Sequence, residues 1–338
     1  MTERNFSLVE AAVIESNLGT MRGMRDALNQ SGIRKVHPFQ NLAGQNLAGQ
    51  NLASLTEALI AAQPDLIVVD VDSPEIDGFK LIRWLRTDAA YPNPFVCILA
   101  TSWQPTEALL HKLHNSGADL LLVKPTSPKQ VTERIHALLE SRKRFTVSAD
   151  YIGPDRRKTP REGPQIPSFD APNTLKLKAG GHWERNSARE QISNGITWVN
   201  EQKAQRDAFQ IAFYVEVAGP GLATTPPDRM AFDLILKINA LIEDLLKRTE
   251  EVERDPGLET TCRATQALVE RVRRQPGNAV AAADTDELRT LSASLMRMVT
   301  PGRPAESMAG EVAEAAAAYH KRLEQILAAK AEAAKPAP

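Results

Sequence analysis

Three short runs of branched apolar residues constrain this chain more than anything else in it: DLIVVD (65–70), FVCILATS (95–102) and DLLLVKP (119–125). None of them alternates apolar with polar, so a strand formed there is buried on both faces. A parallel sheet covered by helices on both sides provides that burial. The segments between them carry helical spacing instead. GFKLIRWLRTD (78–88) is amphipathic, PTEALLHKLHNSG (105–117) closes on Gly117, and SPKQVTERIHALLESRKR (127–144) starts with Ser127 as a cap and Pro128 in its first turn. Upstream, SLVEAAVIE (7–15) reads as a strand ending at Glu15. The helix over 17–32 has apolar positions Leu18, Met21, Met24 and Leu28. IRKVHPF (33–39) is a short, poor strand, and SLTEALIAAQP (54–64) is a helix. Five strands alternating with five helices predict a doubly wound parallel α/β domain over about 7–142. In such a fold, functional residues gather at the carboxyl ends of the strands.

Three other stretches stand apart. NLAGQNLAGQNLASL (41–55) holds two copies of NLAGQ and most of a third. That is too short to close a pentapeptide-repeat coil, and a five-residue period drifts around a helix, so a loop insertion is expected. Residues 143–183 are rich in Pro, Gly and basic side chains and predict an extended linker or arm, although DYIGPDRR (150–157) is particular enough to dock on a folded surface. The spacing of Arg157 and Arg161 resembles the arm of PilZ domains, but the second element of that family and its β-barrel pattern do not follow. From 184 to 334 the pattern is helical, with segments at 186–215, 258–274, 285–299 and 306–333. In RMAFDLILKINALIEDLLKR (229–248), Leu234, Ile238, Leu241 and Leu245 share one stripe. A helical bundle or coiled-coil-like output region is the expectation.

Composition narrows the functional classes. The formal net charge of −1 does not point to nucleic acid or a lipid surface, and two cysteines form neither a disulfide framework nor a zinc cluster. No basic-then-apolar leader opens the chain and no run approaches ~20 apolar residues, so a cytoplasmic protein with no membrane partner is expected. The histidines at 111, 114, 136, 182 and 320 have no metal-ligand spacing.

What remains is the carboxylate at the end of the buried run, Asp70. It sits in PDLIVVDVDSPEIDGF, downstream of Glu15 and upstream of CILATS and VKPTSP. In that order these features resemble the receiver domain of bacterial two-component response regulators, the CheY-like, flavodoxin-like fold, over about residues 7–142. The resemblance implies that Asp70 accepts a phosphoryl group from a sensor histidine kinase or phosphotransfer protein. It also implies that Lys124, followed by Pro125, pairs with that group, and that Thr101, or Ser102 one residue on, supplies the hydroxyl that responds to it. Mg²⁺ is the implied cofactor. These roles suit the residue types, because phosphoryl transfer needs positioning and charge neutralisation.

The sequence departs from the family where a second acid is usual, with Ser16 after Glu15, and has Leu121 where the family tends to an aromatic. Asp72 restores a negative charge near Ser16, so Glu15, Asp70 and Asp72 are the candidate metal ligands; the alternative is that Asp72 faces solvent. The expectation is a non-enzymatic, phosphorylated response regulator signalling through protein–protein interaction of its helical region, with a protein target and a possible homodimer. The rival is a degenerate pseudo-receiver acting as a constitutive scaffold. DNA binding is disfavoured because the basic VERVRRQPG (269–277) is followed by acidic DTDEL.

Overall fold

A computed structural model describes residues 4–39, 48–148, 150–156, 167–250, 255–274 and 278–333. Five strands, β1 (Glu10–Ile14), β2 (Lys35–Phe39), β3 (Leu66–Asp70), β4 (Cys97–Ser102) and β5 (Leu120–Val123), form one parallel sheet in the order β2-β1-β3-β4-β5. Every residue of β3 and β4 is buried, as their continuous apolar runs require. The edge strand β2 is only half-buried and tolerates Pro38, which has no N–H to give a further neighbour.

Five helices cover the two faces: α1 (Leu18–Gln30), α2 (Ala48–Ala62), α3 (Gly78–Thr87), α4 (Glu107–Ser116) and α5 (Pro128–Glu140). Alternation along the strands divides the core in two. Val13, Leu66, Val68, Cys97 and Leu99 pack with Met21, Leu28, Val131 and Ile135 of α1 and α5. Ile14, Ile67, Val69, Ile98 and Ala100 pack with Leu55, Leu59, Leu81 and Leu113 of α2, α3 and α4. Side-chain caps start the helices: Asn17 on α1, Asp77 on α3, Thr106 on α4, and a reciprocal Ser127–Gln130 capping box on α5.

Two expectations are corrected here. The loop insertion over 41–55 is not a loop throughout, because α2 begins at Ala48 and takes in the second half of the repeated segment; residues 40–47 lie outside the described residues. The extended arm over 143–183 is regular where it is described. β6 (Phe145–Ser148), β7 (Tyr151–Pro154) and β8 (Ser168–Phe169) form an antiparallel sheet in the order β7-β6-β8, and α6 (Thr174–Ala179) follows. Arg157, Lys158 and Arg161 lie outside the described residues.

This segment is fastened to the five-stranded unit by buried charge. Asp119 accepts from Arg86 at 2.8 Å and from Arg142 at 2.7 Å, and all three side chains are at least nine-tenths buried. Arg86 also donates to the carbonyls of Gly117 (2.9 Å) and Val96 (2.7 Å). Both guanidinium groups lie over the Phe145 ring of β6, at 5.1 and 4.8 Å, and Phe95 and Phe169 meet that ring edge-on. Gly117, at φ +98, ends α4 in the left-handed region, and a Cβ there would come within 2.9 Å of the Ile152 carbonyl. A Cβ on Gly153 of β7 would in turn meet the α-carbon of Gly117 at 2.9 Å, so the hairpin seats glycine against glycine. Leu175 and Ala179 of α6 join the core formed by α1 and α5.

The chain forms two compact units, divided between Ile196 and Thr197 within α7 (Arg185–Leu222). The second unit contains the rest of α7, α8 (Arg229–Arg248), α9 (Leu258–Arg273), α10 (Ala282–Val299) and α11 (Ala305–Ala333). Successive helices from α8 to α11 pack on one another. Ile235, Ile238, Ile242 and Leu245 of α8 join Ile211, Val215, Leu268, Leu288 and Leu295 in one core. Of the predicted α8 stripe, Leu241 is only partly buried. Inside this unit Lys203 pairs with Asp207 at 2.9 Å and with Asp244 at 3.0 Å.

Two outcomes are expected. Asp119→Asn leaves two buried guanidinium groups without their counter-ion and should cost about 3–5 kcal/mol in denaturant unfolding of the first unit. In the helical unit, burial raises the Asp207 carboxyl to about 7, against the pull of Lys203. A raised acid contributes stability that is full below the ordinary Asp range and is lost as pH climbs to about 7. Amide exchange at Ile211 and Leu245 in the full chain should therefore show protection falling, by on the order of a few kcal/mol, between roughly pH 4 and 7. Asp207→Asn should flatten that slope.

Candidate functional site

β1 and β3 are neighbours where the strand order reverses, and the chain leaving the edge strand β5 brings a third charged residue to their carboxyl ends. Glu15 follows β1, Asp70 ends β3 and Lys124 follows β5. The Lys124 ammonium lies 2.8 Å from Glu15 Oε2 and 2.9 Å from Asp70 Oδ1, and all three side chains are almost fully buried. Backbone amides add to the hold: Asn17 donates to Glu15 Oε1 at 2.9 Å and Asp72 donates to Asp70 Oδ1 at 3.1 Å. The Lys124 amide is tied to the Ser102 carbonyl at 2.7 Å, and the Lys124–Pro125 peptide is cis. The strand runs thus deliver a buried cation between two carboxylates, aimed by neighbouring main chain.

The two hydroxyls on β4 differ. Thr101 is in register with Asp70, but its Oγ1 reaches only the Val69 carbonyl, at 3.5 Å. Ser102 is fully buried and its Oγ lies 3.0 and 2.9 Å from the two carboxylate oxygens of Asp72. The amide of Trp103 donates to Asp72 Oδ2 at 2.6 Å. The Trp103 ring is half-exposed, and the Lys124 ammonium lies 5.4 Å from its centroid. Successive residues of a strand face opposite sides, which is why the one-residue ambiguity between Thr101 and Ser102 decides which hydroxyl can move toward a ligand.

The structure brings Glu15, Asp70 and Lys124 together, and the Asp72 carboxylate turns instead to the end of β4. Mg²⁺ commonly takes one or two protein carboxylates, with waters and phosphate oxygens completing its shell. Glu15 and Asp70 fit that demand, whereas both oxygens of Asp72 are occupied by Ser102 and Trp103. Among the described residues no group of three or more His, Cys, Asp or Glu is arranged to hold a metal ion. Sequence reasoning missed the Asp72–Ser102–Trp103 cluster, since the direction of a side chain in the turn after β3 leaves no periodic signal.

Residues 11–136 match the response regulator receiver domain family, and no family match covers the C-terminal region. Transcriptional regulatory protein CreB of Escherichia coli is 29% identical over 140 residues, which is 38% of this chain and 59% of CreB. Transcriptional regulatory protein GltR of Pseudomonas aeruginosa is 36% identical over 91 residues, 27% of this chain and 36% of GltR. DNA-binding response regulator MtrA of Mycobacterium tuberculosis is 27% identical over 195 residues, 51% of this chain and 83% of MtrA. The chain therefore spans three fifths or less of the first two of these relatives. Among solved structures, chemotaxis response regulator CheY4 of Vibrio cholerae is similar at 19% identity and a TM-score of 0.31, over 38% of this chain and 98% of that one. Residues 11–136 are a response regulator receiver domain. No helix among the described residues is long and apolar enough to cross a membrane.

Proposed function

We propose that this chain is a response regulator whose receiver is phosphorylated on Asp70 and whose helical unit delivers the response by binding a protein. One observation carries the reading: a buried ammonium, Lys124, held at 2.8 and 2.9 Å between Glu15 and Asp70. A cation fixed there can neutralise charge developing on a phosphoryl group at Asp70, which is most of what phosphoryl transfer asks of a protein.

Both the Lys124 ammonium and the Asp72 amide bond to Oδ1 of Asp70, which leaves Oδ2 for attack. An Asp70 lone pair forms the new O–P bond. The P–N bond of a phosphohistidine donor breaks, and its electron pair goes to the imidazole, which takes a proton from solvent. Lys124 then holds the acyl phosphate. Glu15 and Asp70 are the residues that would hold Mg²⁺, which when bound neutralises phosphoryl oxygens. Glu15 keeps Lys124 aimed, and the hydroxyl of Ser102, rather than that of Thr101, is the one hydrogen-bonded toward the turn after β3.

A second reading, control of transcription through DNA, rests on the names of CreB, GltR and MtrA, so the expectation that DNA binding is disfavoured has no support from these relatives. Protein binding is favoured because the basic residues of α9 are already engaged: Arg271 pairs with Asp284 at 2.8 Å and Arg273 with Glu270 at 2.7 Å. A gel shift with salt titration separates the two, since phosphate contacts give a steep salt dependence.

The acceptor reading predicts that a small acyl-phosphate donor with Mg²⁺ adds one phosphoryl mass to the intact protein and none to Asp70→Asn. No added mass, together with no Trp fluorescence response to beryllofluoride and Mg²⁺, would establish the constitutive scaffold instead.

A further inference from the structure

Helix α11 outlasts the bundle it belongs to. Its inner face packs through Met308, Val312, Ala316 and Tyr319, and Tyr319 meets the Phe213 ring edge-on at 5.8 Å. Beyond Tyr319 the helix continues to Ala333, yet Ile326 and Leu327 are 45% and 58% exposed. A lone exposed leucine is ordinary, whereas a stripe that goes on past its partners marks a surface to be covered. Nearer its start, α11 forms one wall of an open groove of about 630 Å³, with α7 and α10 as the others. Met296, Met308 and Val312 are buried beneath it, and Ala305, Ala309 and Ala313 stand exposed along its α11 side. Leu323 and Leu327 follow Ala305 and Ala309 by 18 residues each. That is about five turns at ~3.6 residues per turn, so all four lie in one line along the helix.

We infer that this face joins two copies of the chain, with α11 of one lying antiparallel on α11 of the other and each Leu327 entering the partner copy's groove. The inference names the partner of the helical unit and rests on the reading of that unit as a protein-binding element, not on phosphorylation of Asp70. A two-fold contact must be self-complementary. Here large meets small on both sides of the axis: Leu327 opposes Ala309 and Leu323 opposes Ala313, each pair occurring twice. Ala316 and Ala317 lie between these pairs, and their small side chains let the two helices approach closely. Charge agrees with size. Glu324, beside Leu323, is exposed and has no ion pair among the described residues. The α10 wall of the groove carries Arg289 and Arg297, and Arg297 donates to the Ser294 hydroxyl rather than to a carboxylate. A groove alone would accept many apolar helices. The presence of groove and leucines in one line of one helix specifies a second copy.

The test uses the full chain without phosphodonor. Sedimentation velocity over a micromolar concentration series should show a monomer–dimer equilibrium. Leu327→Glu and Ala309→Glu should each raise its Kd at least about tenfold, because a two-fold interface meets every substitution twice. Both positions are exposed, so circular dichroism and thermal unfolding of the variants should match wild type. Orientation is read by cross-linking, with the native Cys97 and Cys262 buried. An Ala309→Cys chain mixed with a Leu327→Cys chain should form a disulfide-linked heterodimer on mild oxidation. Leu327→Cys alone should form none, since its two thiols would lie about 27 Å apart. A wild type that stays monomeric at every concentration would overturn the inference. So would a dimer that Leu327→Glu leaves intact, or Leu327→Cys chains that link to themselves as readily as to Ala309→Cys. Each of those results leaves the acceptor reading of Asp70 standing, because phosphoryl mass gain tests it separately.

Discussion

A single ammonium inside a sheet is the constraint around which the receiver is arranged. Lys124 reaches its place because it follows directly on the four apolar residues of β5, and it is tolerated there because Glu15 and Asp70 arrive from two other strands. Moving a lysine out of water is costly unless the charge is met at close range. Placing it at the carboxyl ends of parallel strands meets that need with residues widely separated in sequence, so the site exists only when the strand order β2-β1-β3-β4-β5 is complete. Fold and chemistry depend on the same registration of strand ends.

The opposite ends of these strands carry a second buried charge system with a different purpose. Asp119, just before β5, faces two arginines, Arg86 from α3 and Arg142 from beyond α5. Here the excess charge is positive and is met by carbonyls and by the face of Phe145 as well as by the carboxylate. In the cluster around Lys124, both the ammonium and the Asp72 amide bond to Asp70 Oδ1. The cluster around Asp119 saturates its groups with contacts, so its outcome is adhesion of the antiparallel sheet.

The reasons why some elements are legible in the sequence and others are not are physical. β3 and β4 can be read because a strand covered on both faces must be apolar throughout, and α5 because SPKQ is a complete capping signal. Glu15, Asp70 and Lys124 can be read because each interrupts or ends an apolar run. β6 and β7 are too short for any period to appear: FTVS and YIGP have four residues each and take their stability from Arg86, Arg142 and Gly117, which lie outside them. The start of α2 hides in NLAGQ repeats, whose period matches no helix face. Asp72 reads as a metal ligand or a solvent-facing turn residue because sequence records its charge and not the direction of its side chain.

The glycine pair at 117 and 153 has a consequence for modularity. A cassette defined by the five parallel strands and five helices would stop just after α5. Here a cassette cut at residue 142 would strip Ile152 and Gly153 from the end of α4, Phe145 from two guanidinium groups, and Leu175 and Ala179 from the α1–α5 core. The heritable unit, the piece that recombination or an engineer could transplant intact, is therefore longer than the family match and runs through α6. A lineage that fused such a receiver to a new partner would have to carry the hairpin along with it.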